Sequence, residues 1–133
     1  MALPKEKLIA ALRDARPDAL GIWAFGSQIS GHGGPDSDLD LAILVPGYAS
    51  RMELFALSNN LAEIAGREVD LVDLRAATTV MQYQIITGGA LWWHEGSAAR
   101  LYETFILSEK LELDRARAPL IADIQKRGRV YDR

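Results

Sequence analysis

A glycine-serine pair and an acidic pair are separated by ten residues in the N-terminal third of the chain. Gly26 and Ser27 follow an apolar run that ends at Phe25, and Asp38 and Asp40 flank a leucine further along. A glycine at a strand-to-helix turn lets backbone N–H groups approach an anion closely, and a serine hydroxyl can bind a phosphate oxygen. The spacing therefore predicts a phosphate-binding turn that faces an acidic strand.

The two aspartates are expected to share one face, because side chains two positions apart on a strand point the same way. At a separation of ~7 Å and an effective dielectric constant of ~20, two carboxylates repel by about 2.4 kcal/mol. A purely structural strand gains nothing from this repulsion. Hard cations such as Mg²⁺ would relieve it, since they bind carboxylate and phosphate oxygens. Asp38 and Asp40 therefore predict two Mg²⁺ ions, roughly 3.5–4 Å apart, beside a bound triphosphate.

A third carboxylate is expected from the next predicted strand, over residues 68–74. Asp70 lies between Val69 and Leu71, where an unpaired charge would be costly to bury, so it is the candidate third metal ligand and general base. Asp73 is predicted to point to the opposite face and to cap the helix that follows. The candidate catalytic and metal-binding residues are thus the pair already described together with Asp70.

Helical and strand patterns alternate around these residues. Apolar residues at helical spacing between Pro4 and Pro17 predict a first helix, and Ser50 with Glu53 forms a capping box for a helix that closes near Gly66. The other predicted elements are strands over 20–25, 38–43, 68–74 and 90–94, a helix over 78–87, and a long helix from Ser97 with a kink at Pro119. This interleaving favours an α/β (α+β) fold with about four strands in a small sheet and flanking helices.

Composition excludes several classes of protein. The 133 residues fit one domain, and the absence of cysteine excludes disulfide frameworks, thiolate zinc sites and cysteine nucleophiles. A net charge of −3 without a Lys/Arg excess argues against a nucleic-acid-binding face. No apolar run approaches the roughly 18 residues of a membrane helix, and the first residues are too polar for a signal peptide. We therefore expect a cytoplasmic protein that binds neither nucleic acid nor membrane.

The motif resembles that of the DNA polymerase β-type nucleotidyltransferase superfamily, which has a hydrophobic residue, Gly-Ser, about ten residues and then Asp-x-Asp. Here the motif residues are Gly26, Ser27, Asp38 and Asp40, and Asp70 matches the third acidic position. The short chain is most similar to the minimal nucleotidyltransferase (MNT) group, whose members include antitoxins encoded beside HEPN-type ribonuclease toxins. In that antitoxin group, AMP is transferred to a tyrosine of the cognate ribonuclease, which silences it.

The resemblance covers about residues 20–110 and implies a single nucleotidyltransferase domain over residues 1–133, with a C-terminal helical tail over about 97–133. It implies a mixed sheet, two Mg²⁺ ions and ATP as the substrate that donates AMP. The nucleotide-binding residues it implies are Gly26, Ser27 and Ser37. It further implies a protein adenylyltransferase that forms a hetero-oligomer with a HEPN ribonuclease toxin.

The chain departs from many relatives in its phosphate loop. Where those proteins carry arginines, this sequence has Ser30 before Gly31 and the pair Gly33-Gly34. A non-catalytic antitoxin that blocks its partner by binding is therefore one alternative. A small-molecule nucleotidyltransferase of the aminoglycoside type is another, although such enzymes are typically longer and carry an added helical domain for the acceptor.

Overall fold

The computed structural model describes residues 3–30 and 37–131, including their side chains except those of residues 28, 30 and 120–131. Its strands are β1 (Gly21–Phe25), β2 (Leu39–Leu44), β3 (Val69–Asp73) and β4 (Ala90–His94). Its α-helices are α1 (Lys5–Ala15), α2 (Ser27–Ser30), α3 (Arg51–Ala65), α4 (Thr79–Gly88) and α5 (Ala98–Tyr131), and a 3₁₀ turn spans Leu74–Ala76. The alternation of helices and strands predicted from the sequence is confirmed.

Helix α3 begins and ends at the residues that the sequence predicted. The Ser50 hydroxyl oxygen accepts a hydrogen bond from the Glu53 backbone N–H at 3.1 Å, which satisfies one of the free donors of the first turn. Gly66 ends the helix with φ +71°, in the left-handed region that favours glycine. The Glu53 carboxylate binds the guanidinium group of Arg16 at 3.0 Å. This ion pair joins the start of α3 to the end of α1.

The four strands form one mixed sheet in the order β3-β2-β1-β4. Strand β1 pairs antiparallel with both β2 and β4, whereas β2 and β3 are parallel. Asp40 is the register partner of Phe25 on one side and of Asp70 on the other. The mixed sheet implied by the family resemblance is confirmed, and its register determines which acidic residues become neighbours.

Helices cover both faces of the sheet. On one face, alternate β2 residues such as Leu41 and Ile43 pack with buried residues of α1 and α3. On the other face, Ala42 and Leu44 pack with buried residues of α4 and α5. Because side chains alternate along a strand, Asp40 belongs to the face that α4 and α5 cover. The sheet therefore holds the acidic end of β2 against the α4 side of the domain.

The third strand is shorter than the predicted span of residues 68–74. It ends at Asp73, whose carboxylate accepts hydrogen bonds from the N–H groups of Arg75 at 3.1 Å and Ala49 at 2.9 Å. Leu74 therefore begins the 3₁₀ turn rather than ending the strand. Asp73 therefore caps this 3₁₀ turn, whereas the helix predicted over residues 78–87 is capped by Thr78, whose hydroxyl oxygen accepts from the Met81 N–H at 3.1 Å.

The long C-terminal helix begins where the sequence predicted. The Leu101 N–H donates to the Ser97 carbonyl oxygen at 2.9 Å, and α5 continues through Pro119, which lies inside it. None of the helices described here combines the length and the hydropathy that a membrane-spanning helix requires. Most of the predicted glycine-rich loop, residues 31–36, lies outside the described residues.

Candidate active site

Three aspartates occupy one end of the sheet. Asp40 is the second residue of β2, and Asp70, the second residue of β3, is its register partner. Neighbouring strands lie about 4.8 Å apart, so the backbones that carry these two carboxylates are adjacent. Asp38 immediately precedes β2 and does not belong to it, in contrast to the predicted strand pair. The structure thus places the three predicted residues at the same end of the sheet.

The surroundings of Asp40 disfavour the ionised form of its carboxyl group. Burial raises the pKa of the Asp40 carboxyl above its ordinary value, and the negative charges of Asp70 and Asp38 raise it further. Among the described residues, no ion pair involves any of the three carboxylates. The site therefore concentrates negative charge that a bound cation would stabilise.

Asp70 is exposed, in contrast to the sequence argument that assigned it to a buried strand centre. Strand β3 is an edge strand, and Val69 and Leu71 point to the face covered by α1 and α3, where they are buried. The premise of a costly buried charge at Asp70 was wrong. Its register with Asp40 is the structural reason to consider it part of the site.

Gly26, in the turn after β1, lies directly against the acidic end of β2. Its φ is +82°, in the left-handed region, and a Cβ atom added here would overlap the Oδ2 atom of Asp40. Only a residue without a side chain allows the carboxylate to approach the turn so closely. Ser27 opens α2 directly after this glycine, and Ser37 precedes Asp38. All three predicted nucleotide-binding residues are therefore close in sequence to residues at the acidic end of the sheet.

The ligand atoms that this site offers suit Mg²⁺, since hard divalent cations prefer carboxylate oxygens. The half-buried Asp40 carboxylate between two like charges is the feature that such an ion would relieve. In the described part of the chain, however, no three acidic or histidine side chains are gathered closely enough to hold an ion as they stand. Asp38 and Asp70 are both exposed, so rotation of their side chains is what would complete a ligand set.

An apolar pocket adjoins this end of the sheet, and sequence reasoning did not find it. Its volume is about 360 Å³, and it is lined by Phe25, Gly26, Met81, Gln84, Ile85 and Gly88. The four lining residues of α4 lie three, four and seven positions apart, which places them on one helical face. That spacing was the available signal, but the sequence pattern was used only to predict a helix over residues 78–87.

Comparison with known proteins identifies relatives over nearly the whole chain. The family described as "Polymerase beta, Nucleotidyltransferase" matches residues 6–95. The protein adenylyltransferase MntA of Shewanella oneidensis (strain MR-1) is 33% identical over 122 residues, which cover 92% of this chain and 88% of that protein.

Two solved structures are similar to this chain in three dimensions as well as in sequence. A chain of a toxin-antitoxin crystal structure with AMP-PNP superposes with a TM-score of 0.83 at 32% identity, covering 92% of this chain and 99% of that one. A chain from the complex of tri-AMPylated Shewanella oneidensis HEPN toxin with MNT antitoxin has a TM-score of 0.75 at 31% identity, covering 91% and 95%. With its glycine turn and acidic strand end in one site, this chain belongs to the polymerase beta family of nucleotidyltransferases.

Proposed function

We propose that this protein transfers AMP from ATP to a tyrosine hydroxyl of a HEPN ribonuclease toxin and thereby acts as its antitoxin. The observation that carries the proposal is the position of Asp40, which lies between the charges of Asp38 and Asp70 and against the turn at Gly26. The acceptor class is supported by a relative of similar length that is called a protein adenylyltransferase, and by a similar chain that is complexed with a tri-AMPylated HEPN toxin.

The glycine-serine turn is proposed to bind the outer phosphates of ATP. Backbone N–H groups can approach a phosphate closely at Gly26, because no side chain stands in the way. The Ser27 hydroxyl, on the first residue of α2, would add a hydrogen bond to a phosphate oxygen, and Ser37 would contribute another from the start of the acidic segment. The triphosphate would thus lie between the turn and the aspartates.

Asp38, Asp40 and Asp70 are proposed to hold two Mg²⁺ ions. When bound, Mg²⁺ neutralises the developing charge on the phosphate oxygens and on the departing pyrophosphate. The carboxylates must be ionised to act as ligands, and the raised pKa of Asp40 means that its neighbours oppose this ionisation. Cation binding and deprotonation of Asp40 should therefore be coupled.

Asp70 is proposed to accept the proton of the acceptor hydroxyl. The tyrosine oxygen forms a bond to the α-phosphorus of ATP, the bond between that phosphorus and the bridging oxygen breaks, and pyrophosphate leaves with the bond electrons. An in-line geometry requires the acceptor to approach opposite the pyrophosphate. Asp70 suits this role because it is exposed on an edge strand, on the side of Asp40 away from Gly26. A partner protein can reach it there.

The partner is proposed to form a hetero-oligomer with this chain, since a side chain of a folded protein must stay in the site during transfer. A direct test combines the purified protein, ATP labelled at the α-phosphate, Mg²⁺ and the HEPN protein encoded beside it. Asp38→Asn and Asp40→Asn are the active-site variants. Asp18→Asn is the matched control, because Asp18 pairs with Arg16 on the connection after α1 and lies outside the site.

The expected result is label on a tyrosine of the HEPN protein with wild type and with the Asp18 variant, and none with the other two. If the ribonuclease is inhibited without becoming labelled, and Asp38→Asn and Asp40→Asn inhibit it equally well, the protein is a binding-only antitoxin and not an enzyme. Label on an added aminoglycoside instead of the protein would indicate a small-molecule transferase.

A further inference from the structure

We propose that the HEPN protein docks on the free edge of the sheet, where an apolar surface extends from β3 onto the start of α3. This docking surface consists of the exposed side chains of Tyr48, Met52 and Phe55 and of the pocket next to them. The inference deepens the proposed function and rests on it, because it identifies the surface that holds the acceptor protein beside Asp70.

Three large apolar side chains are exposed at the start of α3. The exposed fraction is 68% for Tyr48, 84% for Met52 and 71% for Phe55. Met52 and Phe55 lie three positions apart in the helix and therefore share one face, and Tyr48 lies on the connection that leads into α3. A surface helix usually presents polar side chains to solvent. The exposed face at the start of α3 instead has the composition of a face that a partner covers.

A pocket of about 480 Å³ lies between the start of α3 and strand β3. Tyr48 and Leu54 line it from the side of α3, and Leu71 and Val72 line it from β3. Because neighbouring residues of a strand point to opposite faces, a pocket that both Leu71 and Val72 line lies at the edge of the sheet. Among the described residues, no further strand pairs with β3 on this side. The pocket therefore opens at the free edge.

The pocket is close to the proposed proton acceptor. Leu71 and Val72 follow Asp70 directly in the strand. At a rise of about 3.3 Å per residue, they lie roughly 3–7 Å further along β3. Asp70 is itself exposed on this edge strand. A folded protein that places a tyrosine hydroxyl at Asp70 therefore lies against the docking surface as well.

The area of the docking surface is consistent with a stable complex. At roughly 200 Å² for a large side chain, the exposed parts of Tyr48, Met52 and Phe55 amount to roughly 450 Å². A contiguous apolar patch of this size often marks an interaction site. A standard interface buries about 800 Å² on each partner, so these three side chains would supply about half of it.

The polar groups beside the pocket define the chemistry of the partner. Arg51 lines the pocket and is exposed, and no ion pair joins it to another residue that the structure describes. Asp73 also lines the pocket, but its carboxylate already accepts hydrogen bonds from the N–H groups of Ala49 and Arg75. The matching surface of the HEPN protein should therefore carry an apolar side chain for the pocket and a carboxylate for Arg51.

The test measures binding separately from AMP transfer. The HEPN protein encoded beside this chain is titrated calorimetrically, without ATP, into wild type, Met52→Ser, Phe55→Ser and the control Leu101→Ser. Leu101 is a matched control because it is an apolar residue with an exposed fraction of 65% and belongs to α5, which packs on the opposite face of the sheet from α3. Size-exclusion chromatography with light scattering measures the oligomeric state of each variant alone.

We expect Met52→Ser and Phe55→Ser each to raise the Kd for the HEPN protein by about tenfold or more. In the labelling assay, the KM for the HEPN protein should rise by a similar factor, whereas kcat should stay within about twofold, because the substitutions remove binding and leave the aspartates intact. Leu101→Ser should bind as wild type does. Both substituted side chains are exposed, so thermal unfolding should be nearly unchanged; if one variant does not fold, the other still tests the surface.

Unchanged affinity in folded Met52→Ser and Phe55→Ser would overturn the proposal. An equal loss of affinity in Leu101→Ser would also overturn it, because the effect would then not be specific to this surface. If wild type alone is a dimer that Phe55→Ser converts to monomers, with unchanged affinity for the HEPN protein, the surface binds a second copy of this chain instead.

Failure of the proposed function has a different signature. If the two α3 variants lose affinity for the HEPN protein but wild type transfers no label to it, AMP transfer is refuted and the docking surface stands. If label is transferred with an unchanged KM in both variants, the enzyme stands and the docking surface is refuted.

Discussion

Replacing Asp40 with asparagine should stabilise the folded protein when divalent cations are absent, although it should abolish AMP transfer. The substitution keeps the shape of the side chain and removes its charge. In the folded chain that charge is half-buried and opposed by Asp38 and Asp70, whereas in the unfolded chain it is solvated. Loss of the charge therefore relieves only the folded state.

The size of the effect follows from the strand geometry. Carboxylates on in-register neighbouring strands, or two positions apart along one chain, lie roughly 5–7 Å apart. At ~6 Å a pair of charges repels by about 1.4 kcal/mol for a dielectric constant of ~40 and about 0.7 kcal/mol for ~80. Asp38 and Asp70 are exposed, so screening favours the lower value. Two such pairs amount to about 1.4 kcal/mol, which corresponds to a rise in Tm of roughly 5 °C.

The pH dependence has a definite sign. The pKa of Asp40 in the folded chain is raised above its ordinary value of 3.8, so ionisation costs more in the folded state than in the unfolded state. Wild type therefore loses stability as the pH rises through the raised folded pKa. The advantage of Asp40→Asn should be fully developed above that pKa and should vanish below about pH 3.8, where both states bind the proton.

Thermal unfolding followed by circular dichroism in EDTA, from pH 3 to pH 8, measures this difference. Asp70→Asn should give a smaller gain, because it removes only one of the two repulsions. Asp18→Asn should have the opposite sign, since its hydrogen bond with Arg16 lowers the pKa of Asp18 and its charge stabilises the fold at neutral pH. A Tm of Asp40→Asn that equals or falls below that of wild type at pH 7, or a gain that persists at pH 3, would refute the electrostatic reasoning.

Three further substitutions test other parts of the structure. Gly26→Ala should lower the free energy of unfolding by about 1–2 kcal/mol, because alanine is strained in the left-handed conformation. It should also lower AMP transfer by about a hundredfold, because the added Cβ would displace the Asp40 carboxylate. Urea unfolding and the labelling assay measure the two effects, and full activity would contradict the close approach of Asp40 to Gly26. Glu103→Leu should destabilise by about 1–3 kcal/mol in urea unfolding, because the buried Trp23 loses the acceptor of its indole N–H at 3.0 Å. Ser50→Ala should cost about 1 kcal/mol in the same assay through loss of the α3 cap; an unchanged midpoint would show that the cap contributes nothing.

Local patterns in the sequence were sufficient to predict most elements of this fold and to single out the candidate residues of the acidic site. Periodicity and capping residues act over a few positions, so Ser50, Gly66 and Thr78 predicted helix ends that the structure confirms. The glycine-serine and aspartate spacing likewise singled out Gly26 and Asp40, because their chemistry is carried by residue type and short separation.

The tertiary structure alone decided which distant residues meet. The pairing of Asp70 with Asp40 depends on the register of two parallel strands, and a shift of one residue would have turned Asp70 to the other face. Its exposure depends on β3 being an edge strand, which strand order determines and local sequence does not. The pocket at Gly88 arises only where α4 packs across the end of β1. These features depend on contacts between segments far apart in the chain, and local patterns carry no information about such contacts.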